Sequence, residues 1–320
     1  MGSGPQAAKI DFSGLDPASP GSKGWAEVRA QVVDALVSYG WFEAVYDKVR
    51  PELKESLFGS AMKELFGLPL DAKLRNISDK PFHGYLGQIP YLSYESLAVA
   101  QPHDPHAVKD FADILWPQGR PANICETVSS FSKLLAELDQ MVHRMVLESF
   151  GAEKHYEPHM KTNKLLLRLS EYPAQLQGDG EKKIGLVPHR DKNTLAIICQ
   201  NQVDGLEMET KDGQWVLALP SSTSFIVIAG DTLRAWTNGR IYSPLHSINV
   251  GGNVTRYSTI LFSMPEDDLV IEPMPELVDE SHPSLFKPYA YPDYVGFCMS
   301  EEGMKAKNQL DAYCGVAAES

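Results

Sequence analysis

Apolar side chains recur at helical spacing in three stretches of the N-terminal half. Val28, Val32 and Leu36 share one face of a helix expected over 25–38, which Tyr39 and Gly40 end. Pro51 suits a first helical position, and Leu53, Leu57, Met62 and Phe66 mark the buried stripe of a second helix over 51–66. The longest pattern covers 123–150, where Ile124, Val128, Phe131, Leu135, Leu138, Val142, Met145 and Val146 keep the period and Gly151 supplies a stop. Between the second and third helices the period is lost. Pro81, Gly84, Gly87 and Pro90 interrupt 76–105, while Phe82, Tyr85, Tyr91 and Tyr94 supply aromatic surface. A loop of this length is either a lid over a binding site or plain surface packing.

From Lys161 onwards the texture changes to short apolar or β-branched runs separated by Gly, Asp, Asn and Pro. The runs are 165–169, 195–199, 206–210, 225–229, 248–250, 258–262 and 269–271. Many short strands at this spacing predict a sandwich or barrel. Asp212-Gly213 and Asn238-Gly239 predict tight turns between strands. Helix is expected again over 300–313, with Gly315 as its cap. The order of helices, strands and a final helix gives an α+β chain with a β-rich catalytic core. The expected division is a mainly helical region over 1–160 packed on the core, the core itself over 161–275, and a helical extension over 276–320.

Composition narrows the function classes. The chain has 320 residues with 43% apolar and 22% charged side chains, enough for a sizeable core. A net charge of −13 repels phosphate backbones and anionic lipid, so no nucleic-acid partner and no membrane partner are expected. No apolar run is long enough to span a bilayer. Residues 1–6 lack a secretory leader pattern, Gln6 breaks a myristoylation motif at Gly2, and the C-terminus carries no prenylation box. Cys125, Cys199, Cys298 and Cys314 form no CxxC pair, which fits a reducing, cytoplasmic setting. A monomer is the default expectation.

The chemistry concentrates in His189-Arg190-Asp191 and His246. On a strand, residues i and i+2 point to one face, so His189 and Asp191 aim at one point, and His246 from a later strand adds a third corner. Two imidazoles and a carboxylate on one face are the facial triad of non-haem Fe(II) oxygenases, with positions left open for an oxo-acid and O2. Arg256 and Ser258 follow on one face of the next expected strand. A guanidinium fork with a neighbouring hydroxyl suits a carboxylate. A dicarboxylic 2-oxo acid such as 2-oxoglutarate needs such an anchor for the end that does not meet the iron. The tripeptide alone is weak; the ordered set of triad and Arg-x-Ser within the strand-rich region is strong.

With these residues in view, the chain resembles the soluble plant 2-oxoglutarate/Fe(II)-dependent dioxygenases, which include gibberellin oxidases, flavonol synthase and anthocyanidin synthase. The resemblance runs along nearly the whole chain. The stretch 34–45 (DALVSYGWFEAV) is similar to that family's first helix and core strand. So are Phe66-Gly67-Leu68-Pro69 with Lys73, His83-Gly84-Tyr85, Gly205-Leu206-Glu207 with Gly213 and Trp215, and Gly230-Asp231 with Thr237-Asn238-Gly239. Tyr46-Asp47-Lys48-Val49, Asp191-Lys192-Asn193 and Ala312-Tyr313-Cys314-Gly315 look like the branch related to glucosinolate side-chain-modifying dioxygenases.

The resemblance implies a double-stranded β-helix, or jelly roll, flanked by helices. It implies Fe(II) on His189, Asp191 and His246, and 2-oxoglutarate on Arg256, Ser258 and Tyr172. Ser170 stands where the family often has Asn. The implied reaction uses O2, with ascorbate as reductant, and releases succinate and CO2 while hydroxylating or desaturating a small specialised metabolite. Asp191 occupies the position where Gly or Ala would leave room for a halide, so oxygenation rather than halogenation is expected. Candidate substrate contacts are Phe82, Tyr85, Tyr91, Tyr94, Lys192, Asn193, Phe262, Tyr294 and Phe297. Ordinary packing or exposure is the competing reading for each. Two other functions compete: oxidation of a gibberellin-like or auxin-like hormone acid, and a non-catalytic small-molecule binding module. His103, His106, His155 and His159 are expected to be solvated, and Asp231 to be a turn residue.

Overall fold

The computed structural model describes residues 8–174 and 183–316. The expectations for residues 1–6 and for the extreme C-terminus lie outside that range. Strands β1 (Lys9–Asp11) and β2 (Trp41–Val45) flank the helix Lys23–Ser38. The expected helix over 51–66 is continuous, with a π-turn, Ser56–Ala61, between its α-helical ends Pro51–Glu55 and Met62–Phe66. Strand β3 (Glu95–Ala100), the helix Pro105–Leu115 and the long helix Ile124–Ser149 follow. The strand-rich half holds β4 (Asn163–Tyr172), β5 (Lys183–His189), β6 (Leu195–Gln200), β7 (Leu206–Glu209), β8 (Trp215–Leu217) and β9 (Ser224–Ala229). A short helix, Asp231–Trp236, separates these from β10 (His246–Val250), β11 (Arg256–Pro265), β12 (Val270–Ile271) and β13 (Tyr289–Ala290).

Two sheets carry the core. One has the order β1-β2-β9-β6-β11-β4-β3, the other β5-β10-β7-β8, and β12 pairs with β13 alone. From β4 to β11 the chain alternates between the two sheets, broken only by the β7–β8 hairpin, and every pairing among these strands is antiparallel. That is a jelly roll, as the resemblance implied. Strand β6 shows why its sequence is an unbroken apolar run. Leu195, Ile197 and Cys199 face the helices, with Val128, Phe131 and Leu135 of the long helix in the same core. Ala196 and Ile198 face the second sheet, against Leu206, Met208, Ile248 and Val250. Both faces are covered, so residues 195–199 are apolar on either side, and the polar Gln200 at the strand's end is buried against Arg256. Leu195, Ala196 and Ile197 are fully buried, and burying one leucine or isoleucine side chain is worth about 1.5–3 kcal/mol.

Several expectations change. Residues 76–105 are not all loop: β3 joins the edge of the large sheet by pairing with β4, and a helix begins at Pro105. The region before residue 160 contributes β1, β2 and β3 to that sheet as well as helices. The helix expected over 300–313 is two short ones, Glu301–Lys305 and Gln309–Cys314, because Ser300 and Asn308 each cap a new start, and a further helix, Tyr291–Met299, precedes them. Asp212-Gly213 does turn the β7–β8 hairpin, but Asn238-Gly239 follows a helix rather than joining strands. His155 and His159 are not simply solvated. His155 meets Glu276 at 3.1 Å, and His159 bonds to His143 at 3.1 Å and lies on the Trp236 ring.

Candidate active site

His189 is the last residue of β5 and His246 the first of β10, and the two are register partners across the antiparallel pair. Their rings lie 4.3 Å apart. Asp191 sits past the end of β5, in the loop before β6, so strand alternation does not place it as expected. The backbone N–H groups of residues 230–232 place it instead. Gly230, Asp231 and Thr232 donate to the carbonyls of Thr194 (2.9 Å), Asp191 (2.7 Å) and Asn193 (3.2 Å). The Thr232 hydroxyl adds a 2.6 Å bond to the Lys192 carbonyl. This close approach requires glycine at 230, where a Cβ would come within 2.0 Å of the Asn193 carbonyl oxygen.

Asp191 Oδ1 lies 3.6 Å from His189 Nε2 and 3.7 Å from His246 Nε2, and one donor atom from each of the three residues falls within a 4.8 Å cluster. Each imidazole points its Nδ1 at a backbone carbonyl: Val187 at 2.9 Å and Pro244 at 3.3 Å. A carbonyl only accepts, so Nδ1 carries the proton and Nε2 keeps a lone pair for a metal. Burial, then the neighbouring His189, pushes the pKa of His246 down to about 4, so it is neutral near pH 7. Burial alone would raise Asp191, but the two imidazoles outweigh it and hold the carboxyl below its usual range. Two imidazoles and one carboxylate, with His189 31% exposed, fit Fe(II) with free coordination positions.

Deeper between the sheets lies a second cluster. Arg256 pairs in register with Tyr172 on β4, and Ser258 with Ser170 on β4 and Gln200 on β6. Arg256 is 1% exposed, yet the groups it touches are neutral: Gln200 Oε1 at 2.6 Å, Ser258 Oγ at 3.4 Å and the Tyr172 ring, 4.7 Å from the guanidinium carbon; the Asp204 charge acts on it only from beyond contact. Among the described residues no carboxylate lies within ion-pair distance, and Arg256 Nε and Ser170 Oγ are buried without a hydrogen-bond partner. Burial pulls the arginine pKa below its ordinary value and pushes Tyr172 up to about 12, against the effect of the cation. Gly205, at φ +147°, lets the backbone pass within van der Waals range of the Arg256 side chain.

The family pattern described as the 2OG-Fe(II) oxygenase superfamily matches residues 154–265, and that described as non-haem dioxygenase in morphine synthesis N-terminal matches 9–116. The chain is 45% identical over 311 residues to a probable 2-oxoglutarate-dependent dioxygenase of Arabidopsis thaliana, AOP1.2, covering 96% of this chain and 95% of that protein. It belongs to the Fe(II)/2-oxoglutarate-dependent dioxygenases. The AOP2 dioxygenase of the same plant is 34% identical, with 93% and 95% coverage, which puts the chain with the AOP branch of this family. Among solved structures, a rice dioxygenase for auxin oxidation superposes with a TM-score of 0.80 at 27% identity, covering 97% of this chain and 100% of that one. His189, Asp191 and His246 are therefore the dioxygenase's facial triad. In this family Fe(II) supplies the activation of O2; the chain supplies the ligand geometry.

The remaining sequence candidates divide by what their atoms already do. Phe262 faces the space between the sheets beside Ala98, Leu166, Met264 and Tyr291. Tyr94 lies against the Tyr172 ring, centroids 5.2 Å apart, and donates to Ser96. Tyr85 bonds to Glu95 at 2.8 Å, Tyr91 is 99% exposed, and Phe297 packs on Tyr313. Tyr294 is fully buried with its hydroxyl on Asp231 at 2.6 Å, and Lys192 pairs with the same carboxylate at 3.3 Å. Asp231 is thus a buried network residue under the metal loop rather than a simple turn residue. Asn193 spends its amide on the Leu195 carbonyl. Sequence reading missed Gln200, Tyr291 and Arg168. Tyr291 is largely enclosed, and the Asp191 charge helps raise its pKa after burial does. Arg168 was within reach, because Leu166, Arg168, Ser170 and Tyr172 alternate onto one face of β4.

Proposed function

We propose that Arg256 and Ser258, with Tyr172, hold the distal carboxylate of 2-oxoglutarate, with Gln200 orienting the guanidinium. The observation that carries this is a fully buried cation between the sheets whose direct partners are all neutral. Such a charge is costly alone and matches a dianion whose other end reaches the triad. The proposed reaction is O2 + 2-oxoglutarate + R–H → R–OH + succinate + CO2, in which one oxygen atom enters the substrate and the other enters succinate. Desaturation is the variant outcome. The substrate is a small specialised metabolite, as the likeness to the AOP branch supports, and ascorbate serves as reductant. Four free cysteines and the need for Fe(II) support a reducing cytoplasm as the setting, and a monomer is the proposed state by default.

A second reading, oxidation of a hormone-like acid, takes its support from the rice auxin dioxygenase. A non-catalytic binding module is disfavoured by the complete donor set. The test is succinate release by purified protein supplied with Fe(II), ascorbate and 2-oxoglutarate, with and without candidate metabolites. Succinate formation that depends on both iron and 2-oxoglutarate is expected. No binding of either would sink the reading.

A further inference from the structure

Arg168 lies on the interior face of β4, two residues before Ser170 and four before Tyr172. Its register partners are Ile260 on β11 and Ala98 on β3. It therefore stands between the Arg256 cluster and the apolar group of Leu166, Phe262, Met264 and Tyr291. The side chain is 4% exposed. Its partners are the Ser96 hydroxyl and the backbone carbonyls of Phe82 (2.5 Å) and Gly84 (3.0 Å). All three are neutral, and among the described residues no carboxylate is paired with it. The two carbonyls come from the segment 76–94, where Phe82 is held at φ +63°, a conformation that non-glycine residues rarely adopt. Nothing in this arrangement neutralises the charge, and a buried guanidinium is retained at a cost unless an anion meets it.

We infer that Arg168 binds an oxyanion on the substrate, so that the oxidised molecule is an organic acid with an apolar body. This rests on the proposed iron and 2-oxoglutarate reading and adds the substrate's chemical class to it. The acid group would meet Arg168, displacing one or both loop carbonyls. The apolar body would lie against Leu166, Phe262 and Tyr291, towards the iron ligands. Arg256 does not compete for it, since that cation sits further inside, beside the 2-oxoglutarate carboxylate. The competing account is that Arg168 only anchors the 82–84 loop. An anchor has no preference for charge in a ligand, and that difference decides the test.

Calorimetric titrations would use Ni(II)-loaded protein, which holds the site without turnover. The probes are phenylacetate, 3-phenylpropanoate and indole-3-acetate, each against its primary amide, together with phenyl sulfate. At least one oxyanion should bind about tenfold or more tightly than its uncharged counterpart, as expected for a charge-assisted bidentate contact. A preference for phenyl sulfate over phenylacetate would identify a sulfate, and the reverse a carboxylate. Arg168→Gln should abolish the preference for charge, and Arg168→Lys should keep part of it. Equal binding of acids and amides, no binding of any probe, or an Arg168→Gln protein that weakens acids and amides alike would overturn the inference. The 2-oxoglutarate affinity of each protein, measured in the same cell, reports whether the pocket is intact. Its failure in the wild type would count against the proposed function, whereas intact 2-oxoglutarate binding with no preference for acids counts against Arg168 alone.

Discussion

Replacing Arg256 with methionine tests the cosubstrate site through two opposite effects. Arg256 is 1% exposed and bonded only to neutral groups, so in the unliganded protein it is a buried charge with no carboxylate in contact, Asp204 acting on it only at longer range. Exchanging it for an apolar group of similar length relieves the cost of a desolvated charge, which offsets the loss of about 1–3 kcal/mol when Gln200 Oε1 is left without its donor. The unliganded variant should therefore melt no lower than the wild type. Binding should change the other way. Two hydrogen bonds to a carboxylate, at about 1.5–3 kcal/mol each, amount to about 3–6 kcal/mol. That corresponds to about a hundredfold to ten-thousandfold loss of 2-oxoglutarate affinity. At a concentration about a hundred times its wild-type dissociation constant, 2-oxoglutarate stabilises the wild type by about 2.7 kcal/mol and the variant by almost nothing. Thermal melts of Ni(II)-loaded protein with and without 2-oxoglutarate read both effects, and calorimetry gives the affinities. Equal ligand-induced shifts in the two proteins, or affinities within about threefold, would refute the assignment.

Other perturbations bear on the metal loop. His246→Ala removes a ligand whose ring is already fixed for coordination, so iron binding and turnover should both be lost; near-normal turnover would remove His246 from the triad. Gly230→Ala places a methyl group on the Asn193 carbonyl and should push the Asp191 loop out of position, costing about 1–3 kcal/mol of stability and weakening metal binding; a protein with unchanged iron affinity would show that the loop is not held there. Asp231→Asn keeps an oxygen where Tyr294 and Lys192 share Oδ2 but removes the negative charge, leaving the Lys192 ammonium with the Arg190 carbonyl and no counter-ion. Urea denaturation should show a loss of about 1–3 kcal/mol, reduced from a fully buried pair because Lys192 retains some exposure, and an unchanged midpoint would refute the role given to this pair.

Much of the site was legible because its chemistry is carried by residue type and order. Two histidines, an aspartate and an Arg-x-Ser in a strand-rich region specify a metal and an anion anchor before any contact is known. Helical periodicity likewise marked the helices that cover the large sheet, since a one-sided apolar stripe follows from burial on one side. Strand β3 escaped because its run, Glu95–Ala100, is buried on both faces only through its partner β4 and neighbouring elements, a long-range pairing that local pattern does not encode. Gln200 became part of the arginine cluster for the same reason, through its register with Ser258.

What the sequence determined by itself was the donor set, the anchor and the alternation of β4 that turns Arg168, Ser170 and Tyr172 to one side. What the tertiary structure alone decided was where each charge found its partner. Lys192, adjacent to an iron ligand in sequence, is spent on Asp231. Asp191 is held not by its own strand but by N–H groups from residues 230–232, far along the chain. Arg168 and Arg256 are left facing only neutral oxygens and a ring between two sheets. Charge type is a property of the residue, but compensation depends on which distant residues the fold brings within a few ångströms, and burial sets how much its absence costs.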